Sequence, residues 1–173
     1  MNRRSALKYF VIISAGTALL PTCKPADKKS ASLYEHLPVD EDQQQLISEI
    51  AGTIIPEEGS PGAKTVAAPA FALQMLNDCY EQEDRDKFME GMKEFGKNVK
   101  HKYNKSFVEC SPAERQEIIA DVNNRKDAMD DAAFFYTTLK QLTIRGYTNS
   151  EYYLTKIQVY KQVPGKFKAS VPV

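Results

Sequence analysis

The chain has 173 residues, with 23 lysine and arginine and 23 aspartate and glutamate side chains, so its formal net charge is zero. Residues 1–23 contain three of the basic residues and no acid, which leaves the other 150 residues with 20 basic and 23 acidic side chains and a net charge of −3. This balance argues against a nucleic-acid partner, since binding the phosphate backbone needs a concentrated basic face. A remainder of this length is enough for one domain with a single hydrophobic core.

The first 23 residues have the pattern of an export signal. A basic head with Arg3, Arg4 and Lys8 precedes an apolar run over residues 9–20, in the order of a signal peptide. The run is too short for a membrane-spanning helix, which needs about 20 apolar residues. The pair of arginines, with Leu7 and Lys8 after it, resembles the twin-arginine signal, which is an address and not an anchor. Since this route exports folded proteins, we expect a periplasmic protein.

Cys23 leaves two alternatives for the end of this signal. Leu20-Pro21-Thr22-Cys23 resembles a lipobox, in which the cysteine is diacylated and holds the protein at the membrane. Pro21 and Thr22 depart from the usual small residues, so cleavage nearby or an uncleaved tether is the alternative. The polar and small residues 24–38 predict a flexible tether to a domain over residues 39–170.

Helical signals dominate the domain and predict a mainly α fold of about five helices. Asp40 and Gln43 form a capping-box pattern before a first helix over residues 41–55, which Pro56 ends. Phe88 and Phe95 lie on the apolar face of a third helix, where apolar residues recur every three or four positions. The later helices are expected from near Pro69, over residues 84–102, from Ser111-Pro112, and over residues 128–145 with Gly146 as the C-cap.

The pattern changes after Gly146. Tyr147, Tyr152 and Tyr153 begin an irregular, aromatic-rich segment that is compatible with extended structure or with a short helix opening at Ser150-Glu151. Its aromatic side chains either belong to a binding interface, where such residues are enriched, or complete the core.

Two cysteines remain in the domain. Cys79 and Cys110 could form a disulfide in an oxidising periplasm. Two separate thiols are the favoured interpretation, because neither cysteine lies in a CxxC motif.

The sequence lacks the motifs of an enzyme active site. It has no GxGxxG dinucleotide motif and no CxxCH haem attachment motif. His36 and His101 have no second ligand at metal-binding spacing. The adjacent acids at 57–58 and 130–131 are typical of solvated loops and first turns of helices. We therefore expect no catalytic residue, cofactor or metal in this chain.

Several motifs, in order, resemble the gluconate 2-dehydrogenase subunit 3 family. Thr53-Ile-Ile-Pro56 followed by Pro61-Gly62-Ala63 is similar to the family's TIIP–PGA stretch. The later matches are Phe71 with Met75-Leu76-Asn77-Asp78, Phe107 with Ser111-Pro112-Ala113-Glu114, Phe134-Phe135 with Leu139, Leu142-Thr143 and Gly146-Tyr147, and Tyr160 with Val163-Pro164-Gly165.

The resemblance implies an accessory subunit. In this family the small subunit accompanies a large GMC-type oxidoreductase subunit, which carries FAD and oxidises a sugar acid, sugar or other alcohol at the periplasmic face. A c-type cytochrome subunit often accepts the electrons, and the small subunit carries the export signal. The first alternative is a stand-alone, membrane-tethered periplasmic binding lipoprotein. The second alternative is an enzyme that acts by itself.

The resemblance and the turn chemistry together indicate candidate residues for binding the partner. The loop residues are Pro56, Glu57, Pro61 and Gly62, which form either a rigid linker between two helices or a surface offered to the large subunit. The C-terminal candidates are Tyr147, Tyr152, Tyr153, Pro164 and Gly165.

Overall fold

The computed structural model describes residues 34–124, 130–160 and Gly165. These residues form helices and connecting loops with no strand, which confirms the mainly α fold. The α-helices are α1 (Glu41–Ile54), α2 (Ala68–Cys79), α3 (Gln82–Tyr103), α4 (Pro112–Asn124) and α5 (Asp131–Thr148). A 3₁₀ turn (Phe107–Glu109) precedes α4, and a π-helical turn (Tyr153–Ile157) follows α5.

Helix α5 lies at the centre and packs against the four other helices, most extensively α3 and α2. Its Phe135 ring lies 4.9 Å from the Phe88 ring and 5.6 Å from the Phe95 ring, measured between centroids. Phe95 in turn lies 5.5 Å from Phe107. All four rings are fully buried, and tilted pairs at these separations are favourable packing arrangements. The predicted apolar face of the third helix is confirmed.

The N-caps follow the predicted chemistry. Asp40 accepts a hydrogen bond from the Gln43 backbone at 2.8 Å, and the Gln43 side chain accepts one from the Asp40 backbone at 3.0 Å. In the first turn of α4, hydrogen bonds from Lys105 and Ser111 lower the pKa of Glu114 to about 2.

The acids at 130–131 also have a structural role. Asp130 caps α5 by accepting a hydrogen bond from the Ala133 backbone at 3.1 Å, and Asp131 lies in the first turn of that helix. They therefore act at a helix start, as predicted for adjacent acids.

The structure corrects the prediction that Gly146 is a C-cap. Helix α5 continues to Thr148 and is capped by Asn149. A Cβ at Gly146 would lie 2.9 Å from the Phe71 ring and 3.2 Å from Cα of Ala68. The glycine is therefore needed for the close packing of α5 on the start of α2.

The packed chain begins before the predicted domain boundary at residue 39. Tyr34 is 7% exposed and Leu37 is fully buried, and both belong to the main core. The backbone N–H of His36 also donates to the buried Asn77 side chain at 2.8 Å. Residues 34–38 of the predicted tether therefore pack against the domain, while residues 24–33 lie outside the described residues.

The two domain cysteines are free thiols, as the favoured interpretation predicted: Cys79 is exposed and Cys110 is buried. Burial raises the pKa of Cys110. Within residues 34–124 and 130–160, no helix is long and apolar enough to cross a membrane. Arg3, Arg4, Leu7, Lys8 and Cys23 lie outside the described residues, so the export signal and the lipidation site remain predictions.

Two glycines of α3 provide a matched test of the α3–α5 contact. A Cβ at Gly91 would collide with the Asp131 carbonyl oxygen and lie 2.9 Å from Cβ of Phe135, whereas a Cβ at Gly96 meets nothing within 4 Å. We expect Gly91→Ala to lower the free energy of unfolding by about 2–3 kcal/mol through overpacking. Gly96→Ala should raise it by about 0.5–1 kcal/mol through helix propensity. Urea unfolding measures both, and equal effects of the two substitutions would contradict the close contact.

Candidate partner-binding face

The loop between α1 and α2 folds back on itself around Gly62. The Ala63 backbone N–H donates to the Ile55 carbonyl oxygen at 2.9 Å. A Cβ at Gly62 would lie 2.8 Å from that oxygen and 2.8 Å from Cγ of Glu57. Glu57 itself accepts a hydrogen bond from the Thr65 hydroxyl. The loop is therefore closed by its own contacts, in agreement with the rigid-linker alternative.

Small side chains let the loop rest directly on the helices. Ala51 of α1, Ala63 of the loop and Ala68 of α2 are fully buried and form a cluster of their own. The Ala68 backbone N–H donates to Ala63 at 3.0 Å, and Ala67 before it has a left-handed backbone with φ of 56°. This turn sets the direction in which α2 leaves the loop.

An ion-pair network holds the loop from the α1 side. Glu49 of α1 pairs with Lys64 of the loop at 2.6 Å and with Arg115 of α4 at 2.5 Å. The Arg115 guanidinium also donates to the carbonyl oxygens of Phe107 at 3.1 Å and Val108 at 2.5 Å. One carboxylate thus joins α1, the loop and α4, while its arginine partner holds the 3₁₀ turn.

These partners keep Glu49 ionised. Burial by itself would raise the pKa of Glu49, but hydrogen bonds from Lys64 and Arg115 and the charges of these residues outweigh it, so the pKa lies below its usual value. The side chain is only 20% exposed, so solvent screens these contacts less than it screens a surface pair.

The structure brings the two predicted groups of binding residues together. The Tyr147 hydroxyl, at the end of α5, donates to the Pro61 carbonyl oxygen at 3.1 Å. The Tyr147 ring packs edge-on against Tyr153 with centroids 5.9 Å apart. Loop residues 56–67 and the segment 147–160 therefore form one surface, which we call the loop face.

Two grooves flank this loop. One, of about 500 Å³, lies between the loop at Pro61, Thr65 and Val66 and the C-terminal segment at Tyr152 and Lys156. The other, of about 390 Å³, contains Pro56, Glu57 and Glu58 together with the ion-pair network. Pro56, Glu57 and Glu58 are exposed, whereas Tyr152 and Tyr153 are half-buried and so contribute to packing as well.

The end of the C-terminal segment carries exposed apolar side chains, of which the sequence analysis named Tyr160 but not Ile157 or Val159. Ile157 is 54%, Val159 64% and Tyr160 59% exposed. Val159 has a positive φ of 49°, which is costly for a β-branched residue. The backbone is held in this turn by a 2.7 Å hydrogen bond from Tyr160 to the Leu154 carbonyl oxygen. The sequence feature that could have identified these exposed residues is their apolar character in a segment without helical periodicity.

The remaining predicted residues are placed as follows. Gly165 is exposed, and Pro164 lies outside the described residues. The side chains of His36 and His101 are exposed. Across the described ranges, no three histidine, cysteine, aspartate or glutamate side chains are grouped so as to hold a metal ion.

The described residues thus form a small helical domain whose loop face is held by its own contacts. The model of the family described as gluconate 2-dehydrogenase subunit 3 matches residues 41–165, which include α1 to α5 and the loop face. The chain therefore belongs to the gluconate 2-dehydrogenase subunit 3 family. No curated protein and no solved structure matches it.

The network around Glu49 gives a pH-dependent test. A carboxylate whose pKa is lowered in the folded state stabilises the fold above its unfolded pKa, and this contribution is lost as the pH falls through the folded pKa. We expect Glu49→Gln to lower the free energy of unfolding by roughly 1–3 kcal/mol at neutral pH. The difference from the unsubstituted protein should shrink steadily below about pH 4.5, where the unfolded carboxyl is close to half protonated.

Urea unfolding of both proteins across this pH range measures the effect. Glu90→Gln is the control, because Glu90 forms an exposed pair with Lys93, which contributes little to stability. If Glu49→Gln lowers the free energy of unfolding by the same amount at every pH, the charge of Glu49 does not contribute to stability.

Proposed function

We propose that this protein is a non-catalytic accessory subunit of a periplasmic, flavin-dependent dehydrogenase that acts on a gluconate-like sugar acid or sugar. It binds the large, FAD-carrying GMC-type subunit through the loop face. The observation that carries the proposal is the joining of loop 56–67 to segment 147–160 by the Tyr147–Pro61 hydrogen bond, in a chain of the subunit 3 family. A c-type cytochrome subunit is the electron acceptor that the family resemblance implies for some complexes of this kind.

The physical properties of the loop face support a role in binding. The loop is held by the Glu49 network and by Tyr147, so ordering it on association costs little conformational entropy. The exposed side chains of Ile157 and Tyr160 provide apolar area that a partner can cover, and tyrosine is enriched among residues that dominate binding energy. Binding sites on a rigid scaffold are commonly carried by loops.

Export is the second part of the proposal. The twin arginines Arg3 and Arg4 direct the folded pair across the inner membrane, and the large subunit travels with this chain. Afterwards the subunit stays at the membrane through the complex or through a lipid on Cys23.

Removing the apolar side chains at the end of the loop face should weaken the complex without unfolding the subunit. We expect Ile157→Ser combined with Tyr160→Ser to raise the Kd for the large subunit about 30-fold or more, as for loss of an interface hot spot. The melting temperature should change little, because both side chains are exposed. Calorimetry or surface plasmon resonance with the purified flavoprotein measures the affinity.

Ile144→Ser is the matched control, since Ile144 is 42% exposed and lines neither groove of the loop face. We expect its Kd to stay within about twofold of the unsubstituted value. If the unsubstituted chain does not bind a flavoprotein encoded beside it, the accessory-subunit proposal is wrong and the stand-alone lipoprotein is favoured.

The export proposal is tested by Arg3→Lys combined with Arg4→Lys in cells that also produce the large subunit. We expect both proteins to remain in the cytoplasm, because the address is read by a receptor that requires the arginine pair. Fractionation and immunoblotting locate each protein. Arrival of the large subunit in the periplasm with the double variant would disprove shared export.

A further inference from the structure

A third groove, outside the loop face, has an apolar floor. It measures about 480 Å³ and lies between the start of α1, the C-terminal half of α3 and the 3₁₀ turn. Leu46 and Val108 are half-buried along it, and Phe107 is 2% exposed beneath it. Its volume is within the range of pockets that bind small ligands or a few side chains.

The groove is open because α3 has a glycine there. Gly96 lies within the helix, where glycine is less favourable than alanine. At Gly91 the close approach of α5 explains the glycine, but a Cβ at Gly96 meets nothing within 4 Å. Packing within the domain therefore does not require Gly96, and its observed effect is to leave the groove free.

The rim of the groove is acidic. Asp40, Asp42 and Glu109 line it, with Lys100 as the single basic residue. Hydrogen bonds from the Ser106 backbone and hydroxyl lower the pKa of Glu109, so this carboxyl is ionised at neutral pH. Three carboxylates against one ammonium favour a positively charged ligand.

Two capping boxes make the rim rigid. Asp40 and Gln43 exchange hydrogen bonds at 2.8 and 3.0 Å at the start of α1. Across the groove, the Glu109 side chain accepts from the Ser106 backbone at 2.8 Å and from its hydroxyl at 2.7 Å. The carboxylates of Asp40 and Glu109 are thus already in place before a ligand arrives, which lowers the entropic cost of binding.

We propose that this groove binds a polypeptide segment in which apolar side chains are flanked by basic residues, supplied by the large subunit of the complex. The apolar side chains cover Leu46, Phe107 and Val108, and the basic residues pair with Asp42 and Glu109. The identity of the partner rests on the proposed function, but the chemistry of the groove does not. Along α1 the groove extends to Leu46, whereas the loop begins at Pro56, after the helix ends at Ile54, so the two contacts can be tested separately.

A peptide probe tests the chemistry directly. Fluorescein-labelled Gly-Arg-Leu-Phe-Arg-Gly and Gly-Glu-Leu-Phe-Glu-Gly are titrated with the full chain by fluorescence polarisation at low salt. We expect the basic peptide to bind about tenfold more tightly than the acidic one, with a preference that falls as salt is added. Equal binding of the two peptides, or no binding of either, would overturn the proposal.

Two variants locate this binding. Gly96→Leu places a side chain in the open groove while improving helix propensity, and Asp42→Asn with Glu109→Gln removes two charges but keeps the side-chain shapes. Each should weaken binding of the basic peptide about tenfold. The control, Glu83→Gln with Asp86→Asn, removes two exposed charges of α3 that do not line the groove and should change the affinity less than twofold. An effect of the control as large as that of the groove variants would mean non-specific attraction and would overturn the site.

The large subunit is the final probe. Gly96→Leu should weaken its complex with this chain about tenfold, while the substitutions at Ile157 and Tyr160 act independently. If the complex forms and Gly96→Leu leaves its Kd unchanged, the assignment of the groove to the large subunit is wrong although the proposed function stands. If no complex forms with the unsubstituted chain, it is the proposed function that fails.

Discussion

The close approach of α3 and α5 at Gly91 is the constraint on which the rest of the domain depends. The Asp131 backbone lies where a side chain of residue 91 would be, so α5 begins in direct contact with α3 and packs Phe135 against Phe88 and Phe95. From this position α5 runs through the middle of the bundle. Its other end then reaches α2, where Gly146 allows a second close contact with Phe71.

The loop face follows from where α5 ends. Tyr147 comes immediately after Gly146, and its hydroxyl holds the loop at Pro61, while Glu49 holds the same loop from α1 through Lys64. The loop is thus anchored on both sides, and the segment after α5 is carried to the same surface. A mainly structural network therefore produces the surface that we propose for binding, and the grooves beside it are consequences of how the helices meet.

Local chemistry made much of the fold predictable. The capping signals at Asp40 and Ser111 and the apolar spacing of α1 and α3 placed the helix starts and buried faces, because these depend on residues only three or four positions apart. The prediction was wrong at positions whose structure depends on contacts with residues far away in the sequence. Gly146 looked like a helix end but is a packing contact, and the residues from Tyr34 to Pro38 looked like a tether, although Leu37 is completely buried. Neither contact has a local signal.

The sequence alone determined the helical class of this protein, the motifs of its family, and the turn chemistry of the loop around Gly62. It could do so because helix caps, amphipathic spacing and glycine-dependent turns act over a few neighbouring residues. Only the tertiary structure decided that Pro61 and Tyr147, 86 positions apart in the chain, lie on one surface, that Val159 and Tyr160 are held exposed there, and that Gly96 opens a groove with an acidic rim. These features depend on how whole helices pack, and helix packing is set by contacts between residues that are far apart in the sequence.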